Sequence, residues 1–166
     1  MTKATFDLLE WMPCDSRADM DARANERTVV GTLVASDPNS WGYFQTPDDQ
    51  YLNVGYANVG LQPQAVVIGA RVLVGINECL AGYDLCNRKS YFFYRMPFVF
   101  HEFVELDDPL IVRDEVGFIG LTAEGVEVWK FCTEEAINRY EVTPFSIVGE
   151  TIDGTRFSFE LPTSGH

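Results

Sequence analysis

From Thr28 onward the chain is a succession of short β-branched and aromatic runs, each closed by Gly, Pro, Asn or Asp, which is the pattern of strands and tight turns. The runs Thr28–Ala35, Trp41–Gln45, Tyr51–Tyr56, Ala70–Asn77 and Ser90–Tyr94 predict strands, with turns at Asp37-Pro38-Asn39 and Pro47-Asp48-Asp49. Phe98–Glu105 predicts a further strand, ended by Asp107-Asp108-Pro109. Val116–Thr122 with Val126–Phe131, and Ser146–Ile152 with Thr155–Leu161, predict two hairpins. The second turns on Asp153-Gly154, where a glycine supplies the positive φ that a two-residue turn needs. Between the hairpins, Thr133 followed by Glu134 and Glu135 predicts a short helix, capped by the hydroxyl and with carboxylates at the positive end of its dipole.

Ahead of these runs, Thr5–Met12 mixes Phe6, Leu8, Leu9, Trp11 and Met12 with Asp7 and Glu10, a short element laid on a core and stopped by Pro13. Residues 15–27 are polar and Ala-rich, a solvated helix or a flexible arm. The expected organisation is an N-terminal arm over 1–27, a β unit over 28–96, and an acidic β-rich region over 97–166, packed with the preceding unit or apart from it.

Charge follows that division. The 166 residues carry 12 Lys+Arg and 25 Asp+Glu, for a net charge of −13. Residues 97–166 alone hold fourteen acids against four bases. Such a surface repels phosphate backbones and anionic membranes and speeds encounter with basic partners. No apolar run approaches the ~18 residues of a membrane span, and the start lacks the basic and apolar regions of a signal peptide, so a cytoplasmic protein is expected. Cys14, Cys79, Cys86 and Cys132 match no common zinc or redox spacing; free thiols are expected, with a Cys79–Cys86 disulfide as the alternative.

The segment Gly31–Asp49 (GTLVASDPNSWGYFQTPDD) resembles the opening of the bacterial cold-shock domain at Gly31, Phe44, Thr46, Pro47, Asp48 and Asp49. Ile68-Gly69-Ala70-Arg71-Val72, with Ile76 and Glu78, is similar to a later strand of that family. The resemblance covers residues 28–78 and implies an OB-type barrel that binds single-stranded nucleic acid by stacking bases on aromatic rings. The family's stacking residues are largely missing: Val34, Ala35 and Ser36 stand where it has a basic residue, Trp and Phe, and Leu52-Asn53-Val54-Gly55 replaces its second motif. The expected fold is therefore mainly β, an OB/cold-shock-like small barrel followed by further antiparallel hairpins and one short helix.

Two constellations stand out. An aromatic and basic set, Trp41, Tyr43, Phe44, Arg88, Lys89, Tyr91, Tyr94 and Arg95, is suited to stacking on bases or anchoring an interface, or to packing a core. An acidic stretch, Glu102, Glu105, Asp107, Asp108, Asp114 and Glu115, is suited to pairing with Arg and Lys of a basic partner. No catalytic or cofactor motif is present, and His101 and Glu102 are strand neighbours whose side chains point to opposite faces. Neither enzymatic activity, a cofactor nor a metal is expected. The expected function is a protein-binding module, an acidic inhibitor, immunity or antagonist protein that docks a basic protein. The alternatives are a cold-shock-like nucleic-acid binder and a structural subunit of a virion or secretion assembly.

Overall fold

The computed structural model describes residues 7–163, so Thr5 and Phe6 of the N-terminal apolar element lie outside the described residues. The chain divides into two compact units between His101 and Glu102. The first contains β1 (Trp11–Cys14), α1 (Arg17–Ala24), β2 (Thr28–Val34), β3 (Ser40–Gln45), β4 (Gln50–Tyr56), β5 (Gln64–Ile68), β6 (Arg71–Ile76), β7 (Cys79–Asp84) and β8 (Lys89–Arg95). Strand β9 (Phe100–Glu105) contains the boundary. It is followed by β10 (Leu110–Asp114), β11 (Gly117–Leu121), β12 (Glu127–Cys132), β13 (Ile137–Val142), β14 (Ser146–Thr151) and β15 (Arg156–Glu160).

The mainly β class holds, with one helix and several antiparallel sheets. The first unit has two four-stranded sheets, ordered β1-β3-β4-β2 and β5-β6-β7-β8. Alternate residues of both turn inward: Leu52, Val54 and Tyr56 of β4 share a core with Val72, Val74 and Ile76 of β6 and with Phe44, Ala81 and Tyr83. Each large buried side chain contributes ~1.5–3 kcal/mol of transfer free energy.

Strand β2 does not pair with β3, its neighbour in sequence. Here β2 lies beside β4 and runs parallel to it, with Leu33 opposite Val54. The place next to β3 is taken by β1, Trp11 facing Phe44. Pro13, expected to end the N-terminal element, sits inside β1 opposite Gly42; an edge strand has one row of N–H groups that bond nothing, and tolerates proline. Residues 7–27 of the expected arm are thus part of the first unit.

Helix α1 forms where the helical alternative for 15–27 placed it. Ser16 is its N-cap, accepting from the Asp19 N–H at 3.1 Å. Asp19 in turn pairs with Arg23 one turn on at 3.0 Å. Its buried residues, Met20 and Ala24, face the outer side of the first sheet, where Ala24 packs with Tyr43 and Tyr51.

In the second unit β9 to β12 form a four-stranded sheet and β13 to β15 a three-stranded one. Val104, Ile111, Phe118, Ile137 and Ile147 form the core, with Trp129, Phe131, Tyr140 and Phe157 packed around it. Both expected hairpins are present, β11/β12 and β14/β15, and Gly154 has φ +86 in the second turn.

No helix follows Thr133. Only residues 134–136 separate Thr133 from β13, less than one helical turn. The Thr133 N–H donates to the Val116 carbonyl at 2.7 Å, and the Ile137 N–H to the Glu115 carbonyl at 3.0 Å. Those bonds take the segment out of helical geometry.

All four cysteines are free thiols. The Cys79–Cys86 alternative fails on geometry, because Cys79 begins β7 and Cys86 lies beyond its far end; a six-residue strand runs about 20 Å, against less than ~7 Å between bridged Cα atoms.

Met20 is 1% exposed and is the one large apolar side chain that α1 buries. Met20→Ala is expected to lower stability by ~2–3 kcal/mol and Met20→Leu by under ~1.5 kcal/mol, measured by urea unfolding. Equal midpoints for Met20→Ala and the parent would show that α1 is not anchored there.

Candidate functional site

The six carboxylates of the acidic stretch do not form one surface. Glu102 on β9 is a structural group: its Oε1 accepts from Arg113 Nη1 at 3.1 Å and from the Tyr140 hydroxyl at 2.6 Å. Arg113 also donates through Nη2 to the Ile137 carbonyl at 3.1 Å, and its guanidinium lies 5.5 Å from the Tyr140 ring centre. Asp114 is 1% exposed; its Oδ1 accepts from the Val116 and Gly117 N–H groups at 3.0 and 2.8 Å, shaping the turn into β11. Glu105 is half-buried, and burial, then the neighbouring Asp107, pushes its carboxyl up.

Asp107, Asp108 and Glu115 are exposed. They stand at opposite ends of β10, a five-residue strand about 17 Å long. The sequence places them within nine positions; the strand between them pulls them apart.

The aromatic and basic set divides in the same way. Phe44 is fully buried in the first core. Tyr43 is 7% exposed, stacked on Tyr51 at 4.4 Å and 8° in the cluster that Ala24 of α1 joins. Trp41 lies flat over Gly55, where any Cβ would meet its ring, with the Arg17 guanidinium 5.2 Å from the ring centre. Tyr91 is half-buried and carries Arg71 over its face at 4.2 Å, while Tyr94 is half-buried on β8 opposite Leu80. Arg88 and Lys89 are exposed at the start of β8 and Arg95 at its end. Tyr43 and Phe44 are thus turned into cores, Trp41 and Tyr91 are covered by arginines of the same chain, and Arg95 stands at the other end of β8 from Arg88 and Lys89.

Two concavities were not anticipated from the sequence. In the first unit an open groove of about 410 Å³ is lined by Val34 of β2, Val59 and, on β8, Phe93 and Arg95. Val34, Val59 and Phe93 are 40, 60 and 57% exposed, and β2 and β8 are the outer strands of their sheets.

In the second unit a pocket of about 230 Å³ lies between the end of β12 and the β14–β15 turn. Phe131 and Phe157, whose ring centres are 5.6 Å apart, supply its apolar lining. Glu134 and Glu135 line it from the β12–β13 connection and Asp153 from the β14–β15 turn, and no Lys or Arg is among its lining residues. Asp153 is held in place: Oδ1 accepts from the Thr151 hydroxyl and, at 3.1 Å, from the Thr155 N–H, and Oδ2 accepts from the Thr155 hydroxyl at 3.1 Å. These bonds hold its carboxyl below the usual range. Burial, then Asp114, pushes the Cys132 thiol up, so the cysteine of this pocket is a protonated neutral group.

No family model and no curated protein matches the chain. No helix among the described residues is long and apolar enough to cross a membrane.

Tyr140 is pushed well above the ordinary tyrosine range, by burial first and then by its bond to Glu102. The folded chain therefore holds this proton more tightly than the unfolded chain does. The associated stability is complete below about pH 10 and is lost as the pH rises beyond it. Tyr140→Phe is expected to cost ~1–2 kcal/mol at neutral pH and to show a shallower decline than the parent above about pH 10. Urea midpoints across that range measure both; unchanged stability with an unchanged alkaline slope would contradict the assignment.

Proposed function

We propose that this chain is a non-enzymatic protein-binding module, an acidic antagonist of the inhibitor or immunity type that docks a basic protein through the surface of residues 102–163. One observation carries the reading. Of the fourteen carboxylates in that unit ten are exposed, against four basic residues, of which Arg113 is bound inside to Glu102 and Arg139 is paired with Glu150 at 2.9 Å. Fourteen acids against four bases leave that surface with a net negative charge, which a cationic partner neutralises.

Long-range attraction accelerates encounter and disfavours phosphate-bearing ligands. The covered or core-facing positions of Tyr43, Phe44 and Trp41 weigh against base stacking in the first unit. With few stacking platforms and a surrounding field of the wrong sign, useful affinity for single strands is not expected.

Passing a native lysate over the immobilised full-length chain tests the reading. A basic protein is expected to be held at about 50 mM salt and released by about 300 mM, where the screening length is roughly halved or less. The charge-reduced variant Glu115→Gln/Glu124→Gln/Glu141→Gln/Glu160→Gln is expected to retain less of it. Retention of nothing, or retention indifferent to both salt and the four substitutions, would overturn the proposal.

A further inference from the structure

The pocket between β12 and the β14–β15 turn combines features that a merely solvated acidic face does not need. It has an apolar aromatic lining, Phe131 and Phe157, carboxylates from two connections, and no basic residue lining it. Ile152, at the hairpin tip between Thr151 and Asp153, is 64% exposed, and its N–H is tied to the Ala136 carbonyl at 2.9 Å. Ile152 does not line the pocket but lies between two residues that do, so the exposed surface of this turn mixes apolar and acidic groups, as interfaces do.

The chemistry that fits is narrow. A lysine ammonium is a compact, strongly hydrated charge that gains little from an aromatic wall. A guanidinium is planar and weakly hydrated, stacks on rings, and donates in a fork that matches carboxylates. Asp153 is already positioned by Thr151 and Thr155, so that carboxylate loses little freedom on binding. Glu134 and Glu135 are exposed and line the pocket from the β12–β13 connection.

We propose that this pocket is the anchor point for the basic partner, and that it takes one arginine side chain, with the guanidinium against Phe131 and Phe157 and between Asp153 and the Glu134–Glu135 pair. The assignment deepens the function proposed above and rests on it for the nature of the partner.

The test uses the intact ¹⁵N-labelled chain and three short peptides, acetyl-Gly-X-Gly-amide with X arginine, lysine or the uncharged isostere citrulline, titrated at low salt. The arginine peptide is expected to move the backbone amides of residues 131–135 and 151–157 most, the lysine peptide to bind there more weakly, and citrulline to leave them in place. Glu134→Gln/Glu135→Gln, both exposed and outside the core, is expected to weaken the arginine peptide about fivefold or more, with the remaining amide spectrum unchanged. The assignment is overturned if the citrulline peptide produces the same shifts, or if the double variant binds as well as the parent. It is overturned equally if the arginine peptide acts no more strongly here than beside Asp107 and Asp108 or in the Val34–Phe93 groove. A salt-released basic protein together with a pocket blind to arginine leaves the general function standing and removes this anchor. A pocket that binds arginine while no basic protein is retained keeps the guanidinium site and removes the general function.

Discussion

The second unit is shaped by an excess of negative charge that it does not neutralise internally. Residues 102–163 hold fourteen acids and four bases, whereas residues 7–101 hold eleven and seven. Of the four bases, Arg113 is drawn inward to Glu102, Ile137 and Tyr140. That network fixes β9, β10 and β13 relative to one another, because each supplies one of its polar groups. Breaking one partner of a part-buried pair costs more than the pair itself contributes, so the network acts as a constraint on register more than as a source of stability. With one guanidinium committed to the interior and another to Glu150, most of the remaining carboxylates face water.

In the first unit arginines of the N-terminal segment serve a different purpose. Arg17 lies over Trp41 and Arg27 over Tyr51, while Arg27 also pairs with Asp49 at 3.1 Å. The outer face of β3 and β4 is thereby closed, and every residue of β4 after Gln50 is buried. The chain's own N-terminal segment thus covers Trp41, Tyr43 and Tyr51. Among the concavities of the described residues are the apolar groove near Val34 and Phe93 and, in the second unit, the aromatic-lined pocket and an open groove of about 390 Å³ lined by Arg139 and Arg156.

Much of the fold was legible because turn chemistry and β-branched runs coincide. Strands β2, β3, β4, β6, β8, β9, β11, β12, β14 and β15 all fall on runs read from the sequence, with ends shifted by a residue or two. Those missed were lost for physical reasons. Strand β7 carries Ala81 and Gly82, poor strand formers that are admitted by two flanking strands and by Tyr91 lying on Gly82. Strand β13 begins just after Thr133-Glu134-Glu135, which imitates a helix start until Val116 takes the threonine hydroxyl. Strand β1 was hidden by Pro13, which reads as a stop unless the strand lies on a sheet edge.

The candidate site was less legible, because side-chain partners lie far apart in sequence. Glu102 meets Tyr140 across 38 positions, and Phe131 on one sheet and Asp153 in the hairpin turn of another share one pocket lining. One signal was available: Asp114, three residues before Gly117, has the spacing of a carboxylate that shapes its own turn, and that marks it as structural. The sharpest measurement of the whole account is backbone amide exchange in the intact chain at about 20 and about 200 mM NaCl. If repulsion among unneutralised carboxylates governs the second unit, protection in 102–163 rises with salt by clearly more than in 7–101, as screening relieves it. An equal response in both units, or a fall in 102–163, would contradict the central claim.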